Sequence, residues 1–225
     1  MLLDDFSLDV KAVLAAVDQH TKMIFLCSPN NPTANSLEKE AILKIIDQVN
    51  CMVVVDEAYI DFSSGKGVLS LLPGKQNLVV LQTLSKAWGL AGIRLGMVFA
   101  HPDLIRLLSG VKYPYNINAL TLKEALSALN KPEQAETWVR KILDERELMA
   151  VQLKSMDLIL EVFPSDANFL LVRVEDPGAL YKFLMNRGII VRDRSTVPLC
   201  QGCLRITVGS PEENRILIDT LRTYK

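Results

Sequence analysis

The sequence lacks the features that mark membrane, secreted-disulfide and metal-binding proteins. Its 225 residues include only four cysteines and two histidines, and no apolar run approaches the roughly 18–20 residues that span a bilayer. The N-terminus, Met-Leu-Leu-Asp-Asp, is acidic where a signal peptide is basic. We therefore expect no membrane span and no resident metal, and we expect the chain to work in the cytoplasm.

A large net charge is also lacking. The chain has 25 basic and 26 acidic residues, a formal net charge of −1, and so has no general attraction for nucleic acid or anionic membranes. Hydrophobic residues make up 49% of the chain, which is ordinary for a globular protein with a substantial core. The charge balance therefore predicts no nucleic-acid or membrane partner.

The cysteines suggest little chemistry. Cys27 and Cys51 lie inside apolar runs and are predicted to be buried thiols. Cys200 and Cys203 have the C-x-x-C spacing of a redox pair or of half a zinc site, but the sequence has no second pair to complete such a site. We interpret them as two incidental thiols and rank a thiol redox function last.

The first half of the chain alternates apolar runs with helical patterns. This order indicates an α/β fold with a mostly parallel sheet, in which ligands bind beyond the carboxyl ends of the strands. Asn31, Asp56 and Lys86 each follow a predicted strand. Asn35 or Ser36 is predicted to cap the second helix. The predicted strands are 23–27, 51–55, 78–82 and 96–100, and the predicted helices are 9–19, 37–49, 102–109 and 119–129.

From about residue 119 the pattern becomes α+β. The last helix opens with Ser210-Pro211-Glu212-Glu213, a capping box with proline at the first helical position. We expect a large domain over 1–118 and a smaller C-terminal α+β domain over 119–225. The predicted elements are a long helix from 132, strands 158–163, 168–174, 189–192 and 203–208, and helices 177–187 and 211–222.

The stretch 83–96 follows a buried strand and combines a lysine, an arginine and three glycines. A lysine in this place suits Schiff-base chemistry, because partial burial would lower its pKa and free the amine. The fork of Arg94 matches a phosphate. A glycine-rich turn with solvated charges is the bland alternative.

Taken together, the strand-end residues would suit a flat, phosphorylated pyridine aldehyde. Asp56 would keep the ring nitrogen protonated, so that the ring acts as an electron sink. Lys86 would bind the aldehyde and later move a proton as a base. The remaining expected contacts are Asn31 and Tyr59 to the ring hydroxylate, and Ser85 and Arg94 to the phosphate.

Three motifs resemble the signatures of fold type I pyridoxal-phosphate aminotransferases. They are Ser28-Pro29-Asn30-Asn31-Pro32-Thr33, Asp56-Glu57-Ala58-Tyr59 and the stretch from Ser85 to Gly96. Within that family the chain most resembles the histidinol-phosphate aminotransferases, through segments 112–117, 165–169, 188–193 and 202–209. The resemblance implies a partial large cofactor-binding domain, pyridoxal 5'-phosphate as cofactor and a homodimer. It also implies amino transfer between L-histidinol phosphate with 2-oxoglutarate and imidazole-acetol phosphate with glutamate, in histidine biosynthesis.

The same resemblance implies an anion-binding group in the C-terminal half. Arg205 matches the arginine that grips the acidic end of the substrate, which is a carboxylate in glutamate and a phosphate in histidinol phosphate. Arg192 resembles a second contact there, and Asn168 lines the same pocket. Paired arginines suit both anions, because a guanidinium binds two oxygens at once.

The resemblance begins inside the family pattern, at the approach to the strand before Asn31. We therefore expect an incomplete enzyme that is impaired alone, without the glycine-rich turn that meets the cofactor phosphate. Ala34 stands where family members usually have glycine, which predicts a changed loop geometry. Two hypotheses stay open beside amino transfer: a related pyridoxal-phosphate decarboxylase of a phosphorylated amino acid, and an inactive remnant or dimerisation module.

Overall fold

Apolar, β-branched runs form the strands of a first sheet. The computed structural model describes residues 1–65 and 67–224. The strands are β1 (Met23–Cys27), β2 (Met52–Asp56), β3 (Leu78–Thr83) and β4 (Gly96–Ala100), in the order β1-β2-β3-β4. The first three are parallel and β4 is antiparallel to β3, which confirms the mostly parallel α/β sheet.

Helices α1 (Val10–Ala15) and α2 (Lys39–Gln48) pack against this sheet, because their apolar residues share one cluster with the first three strands. Helices α3 (Pro102–Val111) and α4 (Ala119–Leu129) follow β4. Ile42 and Ile45 of α2 pack in one apolar cluster with Val53 and Val55 of β2, and all four are almost completely buried. Burying such side chains contributes about 1.5–3 kcal/mol each.

The predicted cap of α2 is wrong. The helix begins at Lys39, and its N-cap residue, Glu38, makes no capping bond through its side chain. The hydroxyl of Ser28 accepts the N–H of Leu37 at 2.9 Å, so the chain just before the helix is held to the loop after β1.

The two cysteines of the first sheet are also less buried than predicted. Cys27 is exposed and Cys51 is half-buried. In β1 the side chains alternate between faces, so Met23, Phe25 and Cys27 are exposed while Leu26 is buried in the helix-covered face. The apolar run alone did not distinguish these two faces.

A second, fully antiparallel sheet follows in the C-terminal half. Its strands are β5 (Ile159–Val162), β6 (Phe169–Val174), β7 (Arg192–Asp193) and β8 (Cys203–Thr207), in the order β5-β6-β8-β7. The helices of this half are α5 (Pro132–Lys154), α6 (Pro177–Met185) and α7 (Pro211–Leu221). The capping box at Ser210 and Glu213 is confirmed, whereas the predicted strand 189–192 is reduced to the two residues of β7.

By its internal contacts the chain divides into two compact units. The first unit comprises Met1–Asn30 and Ser36–Glu136, and the second comprises Asn31–Asn35 and the chain from Thr137 onward. The domain division at 118/119 stays a prediction. No helix among the residues described is both long and apolar enough to cross a membrane.

Candidate active site

In the first unit, polar side chains stand at the carboxyl ends of the two central strands. Asp56 is the last residue of β2 and pairs with Leu81 of β3. Its Oδ1 atom accepts the N–H of Ala58 at 2.9 Å, which fixes the carboxylate against the turn that follows the strand. A carboxylate held in this way keeps its second oxygen as an acceptor for a ligand.

Tyr59 and Lys86 meet just beyond these strand ends. Tyr59 is buried, and the Lys86 Nζ atom lies 5.1 Å from the centre of its ring. A cation at this distance from an aromatic face is attracted to it by roughly 0.5–1 kcal/mol at an exposed site. Lys86 is exposed, so the partial burial expected for this lysine is wrong. The Tyr59 ring is the aromatic contact of its Nζ atom among the residues described.

Hydroxyl and guanidinium groups follow in the same loop. Ser85 Oγ accepts a hydrogen bond from Thr83 Oγ1 at 2.9 Å, and the N–H of Ser85 donates to that same Oγ1 at 3.1 Å. Arg94 is exposed and donates from Nη1 to the carbonyl of Ala91 at 3.1 Å. Its backbone has φ 54°, a left-handed conformation that non-glycine residues adopt rarely.

The second unit has its own cluster around Arg205. The Nη1 atom of Arg205 donates to Oδ1 of Asn31 at 2.8 Å. The guanidinium carbon lies 5.0 Å from the centre of the Phe169 ring, so an aromatic face helps to orient the fork. Arg192 of β7 pairs directly with Arg205 of β8. Side chains of directly opposed residues lie on one face of a sheet, so these two cations are neighbours.

Asn168 immediately precedes β6 and is adjacent in sequence to Phe169, the aromatic residue of this cluster. Its carbonyl accepts the N–H of Val208 at 3.0 Å, and the preceding carbonyl, of Ala167, accepts from Nη1 of Arg146 at 2.9 Å. Burial lowers the pKa of Arg146, while the charges of Glu147 and Asp166 oppose the shift. Arg146 was not identified from the sequence, where it is one of several charges on a long helix.

The loop that precedes α2 places Ala34 in an unusual conformation. Its φ is 67°, in the left-handed region that favours glycine, and its carbonyl accepts the N–H of Asp166 at 2.7 Å. An alanine is strained there by roughly 1–2 kcal/mol. The alanine therefore adopts the kind of backbone conformation that a glycine at this place would favour.

Sequence reasoning also missed Glu57. This residue is only 2% exposed and its carboxylate accepts two hydrogen bonds within the first unit. The sequence does contain a signal for it, because two adjacent acidic residues follow the apolar run of β2. Only Asp56 has an expected role among them.

The residues of the first unit fit pyridoxal phosphate by their chemistry. A fixed carboxylate, a primary amine and a phenol match the pyridine nitrogen, the aldehyde and the ring oxygen, while a hydroxyl and a guanidinium match the phosphate. A methyl group built on Gly92 meets no atom within 4 Å, so the loop leaves open space beside its backbone.

The comparisons with known proteins agree with this chemistry. The family model "Aminotransferase class I and II" matches residues 2–221. A curated histidinol-phosphate aminotransferase of Parabacteroides distasonis is 51% identical over 222 residues, which cover 99% of this chain and 64% of that protein. The chain thus spans just under two thirds of the length of this curated relative.

Two solved structures have the same fold over the length of the chain. One is histidinol-phosphate aminotransferase from Sinorhizobium meliloti in complex with pyridoxal-5'-phosphate, with a TM-score of 0.84, 22% identity, and coverage of 99% of this chain and 63% of that one. The other is L-threonine-O-3-phosphate decarboxylase from Porphyromonas gingivalis, with a TM-score of 0.81, 28% identity, and coverage of 93% and 66%. On the family match across residues 2–221 and this fold, the chain belongs to the class I and II aminotransferases.

Proposed function

We propose that this chain carries the catalytic lysine and substrate arginines of a pyridoxal-phosphate-dependent histidinol-phosphate aminotransferase. The reaction exchanges an amino group between L-histidinol phosphate with 2-oxoglutarate and imidazole-acetol phosphate with glutamate. The observation that carries the proposal is the 51% identity to the curated enzyme over 99% of the chain. The strand-end placement of Asp56 and Lys86 supports it.

The cofactor, when bound, supplies an electron sink that stabilises negative charge next to the reacting carbon. Asp56 would hold a proton on the ring nitrogen through its carboxylate, which the N–H of Ala58 keeps in place. Tyr59 and Asn31 would donate hydrogen bonds to the ring oxygen. Ser85 and Arg94 would bind the phosphate, for which a hydroxyl and a guanidinium are suitable donors.

Lys86 has two tasks in this proposal. Its Nζ atom would hold the cofactor at the aldehyde carbon, and the same amine, once free, would act as the base that accepts and returns a proton. The Tyr59 ring 5.1 Å away restricts the position of Nζ, so that the base stays near its place of action.

The acidic end of the substrate binds to Arg205 and Arg192. The two guanidiniums are neighbours on opposed residues of β7 and β8, and their mutual repulsion favours an anion with several oxygens between them. Phosphate and carboxylate both meet this requirement. Asn168 contributes a polar contact to the same anion.

The first test is covalent labelling of the purified chain. Incubation with pyridoxal phosphate, borohydride reduction and peptide mapping should place the label on Lys86, with Lys86→Ala as the unlabelled control. L-histidinol phosphate and 2-oxoglutarate should then give glutamate and imidazole-acetol phosphate in equal amounts. A labelled lysine elsewhere, or no glutamate from labelled protein, would contradict the proposal.

A decarboxylase acting on a phosphorylated amino acid is the second candidate. The 28% identity to L-threonine-O-3-phosphate decarboxylase favours it, because that enzyme's named substrate is also phosphorylated. Carbon dioxide released from threonine phosphate, with no dependence on 2-oxoglutarate, would favour this function over amino transfer.

We further propose a cytoplasmic homodimer. Monomers rarely expose large clusters of apolar side chains, and apolar side chains at least 69% exposed recur in the segment 107–120: Leu107, Val111, Tyr113, Tyr115 and Leu120. Light scattering coupled to size exclusion should give twice the mass of 25.1 kDa. Leu120→Lys with Val111→Lys should shift the protein to the monomer, and a monomeric parent protein would refute this assembly.

A further inference from the structure

A buried carboxylate joins three segments of the first unit beside the proposed cofactor residues. Oε1 of Glu57 accepts the N–H of Val68 at 2.6 Å, and Oε2 accepts from Nε2 of Gln82 at 2.8 Å. The N–H of Glu57 itself donates to the carbonyl of Leu81 at 2.8 Å. A buried carboxylate is tolerated only when its oxygens are hydrogen-bonded, so these bonds fix the position of the Glu57 side chain.

The backbone at Gly67 and Val68 packs tightly against this carboxylate. Gly67 has φ +60°, and a methyl group built there would lie closer than 3.0 Å to all three atoms of the Glu57 carboxyl group. Only glycine fits both the backbone conformation and the space. Burial raises the pKa of Glu57, while the bonds from Gln82 and Val68 and the charge of Lys39 oppose the shift.

Two of the segments that Glu57 joins lead to residues of the proposed site. Glu57 stands between Asp56 and Tyr59 in the turn after β2, and Gln82 lies four residues before Lys86, near the end of β3. The carboxylate therefore connects the turn that carries the proposed ring contacts to the strand that leads to the proposed base.

We propose that Glu57 is a positioning residue that sets the placement of Asp56 and Tyr59 relative to the Lys86 strand end through its bonds to Gln82 and Val68. This inference rests on the proposed function, because it concerns how that site is held. It requires two hydrogen-bonding atoms, one for Val68 and one for Gln82, more than it requires a negative charge. A glutamine at position 57 can still accept from Val68, and its amide can donate to Gln82 after the Gln82 side chain rotates.

The experiment compares Glu57→Ala, Glu57→Gln and Gln82→Met with the parent protein. Glu124→Ala, on the exposed face of α4, is the matched control for losing one carboxylate. Amide hydrogen exchange of the cofactor-free proteins measures whether the N–H of Val68 is released. Borohydride trapping measures occupancy of Lys86, and steady-state kinetics separate kcat from the KM of glutamate.

We expect Glu57→Ala and Gln82→Met to speed exchange at Val68, to lower trapping at Lys86 and to lower kcat by about 10- to 100-fold, with the KM of glutamate unchanged. Glu57→Gln should stay within about threefold of the parent. Gln82→Met keeps the test decisive if Glu57→Ala fails to fold.

Faster exchange with unchanged trapping and kcat would overturn the inference, since Glu57 would then serve stability alone. A Glu57→Gln variant as impaired as Glu57→Ala would overturn it as well, because charge and not the bonding pattern would then be decisive. Failure of the parent protein to trap pyridoxal phosphate at all would instead sink the proposed function, and this inference with it.

Discussion

Replacing Arg205 by lysine keeps the positive charge but removes the paired N–H donors of the guanidinium. A guanidinium binds an anion through two parallel charge-assisted hydrogen bonds, and lysine keeps the charge but can replace only one of them. One such bond contributes about 1.5–3 kcal/mol, which corresponds to a loss of roughly 10- to 150-fold in affinity. The substitution also removes the 2.8 Å bond to Asn31 and the contact with Phe169, so the lower end of this range is a minimum.

The assay is the half-reaction with glutamate, followed by the absorbance of the bound cofactor. Arg205→Lys should raise the KM of glutamate and of histidinol phosphate by this factor and leave the Kd of pyridoxal phosphate nearly unchanged. Arg222→Lys is the matched control, since Arg222 is exposed and pairs only with Asp219 on α7 at 3.1 Å among the contacts described. A KM for glutamate within about twofold of the parent would place the acidic end of the substrate elsewhere.

Three further predictions follow from single groups. Asp56→Asn should allow labelling of Lys86 but lower kcat by at least about 100-fold, because the ring nitrogen loses its charged partner; turnover equal to that of the parent would remove this role. Ser210→Ala should lower the free energy of urea unfolding by about 1 kcal/mol, because it breaks the capping box of α7; an unchanged unfolding midpoint would contradict the cap. Burial raises the pKa of the Cys200 thiol from 9.0 to about 11, so the unfolded chain loses this proton first as pH rises, and stability attributable to the thiol is lost between pH 9 and 11. Urea unfolding of the parent and of Cys200→Ala should converge across this window by up to about 2–3 kcal/mol, and parallel pH curves would refute the shift.

The sequence predicted the fold class well because periodicity reports burial directly. The runs that became β2 and β3 are apolar at nearly every position, as expected of strands covered on both sides, and both were located to within a residue. Element ends were less predictable. Helix α2 has no side-chain cap, and the N–H of Leu37 just before it is bonded by Ser28, nine residues earlier. No local pattern indicates which hydroxyl will satisfy a given N–H.

The contact between Asn31 and Arg205 illustrates a stronger limit on what can be predicted from the sequence. These residues are 174 positions apart, and each had been assigned a separate role, one toward the cofactor and one toward the substrate. Under the proposed function their hydrogen bond would couple the two roles, since the side chain that accepts from the arginine is the one proposed to contact the cofactor. Such coupling depends on tertiary structure and has no signature in the spacing of residues along the chain.

Asp56 and Glu57 are adjacent in sequence, yet the sequence does not show which of them would contact a ligand. Both are acidic, both end the same apolar run, and composition gives no reason to prefer either as the partner of a ring nitrogen. The structure separates them by environment: Asp56 is half-exposed with one oxygen fixed by a neighbouring N–H, whereas Glu57 is buried with both oxygens bonded to the protein. A carboxylate whose acceptors are already bonded cannot hold a ligand without breaking those bonds, but it can fix the backbone on either side of it. Two adjacent carboxylates are thus suited to different tasks, one toward a ligand and one toward the protein.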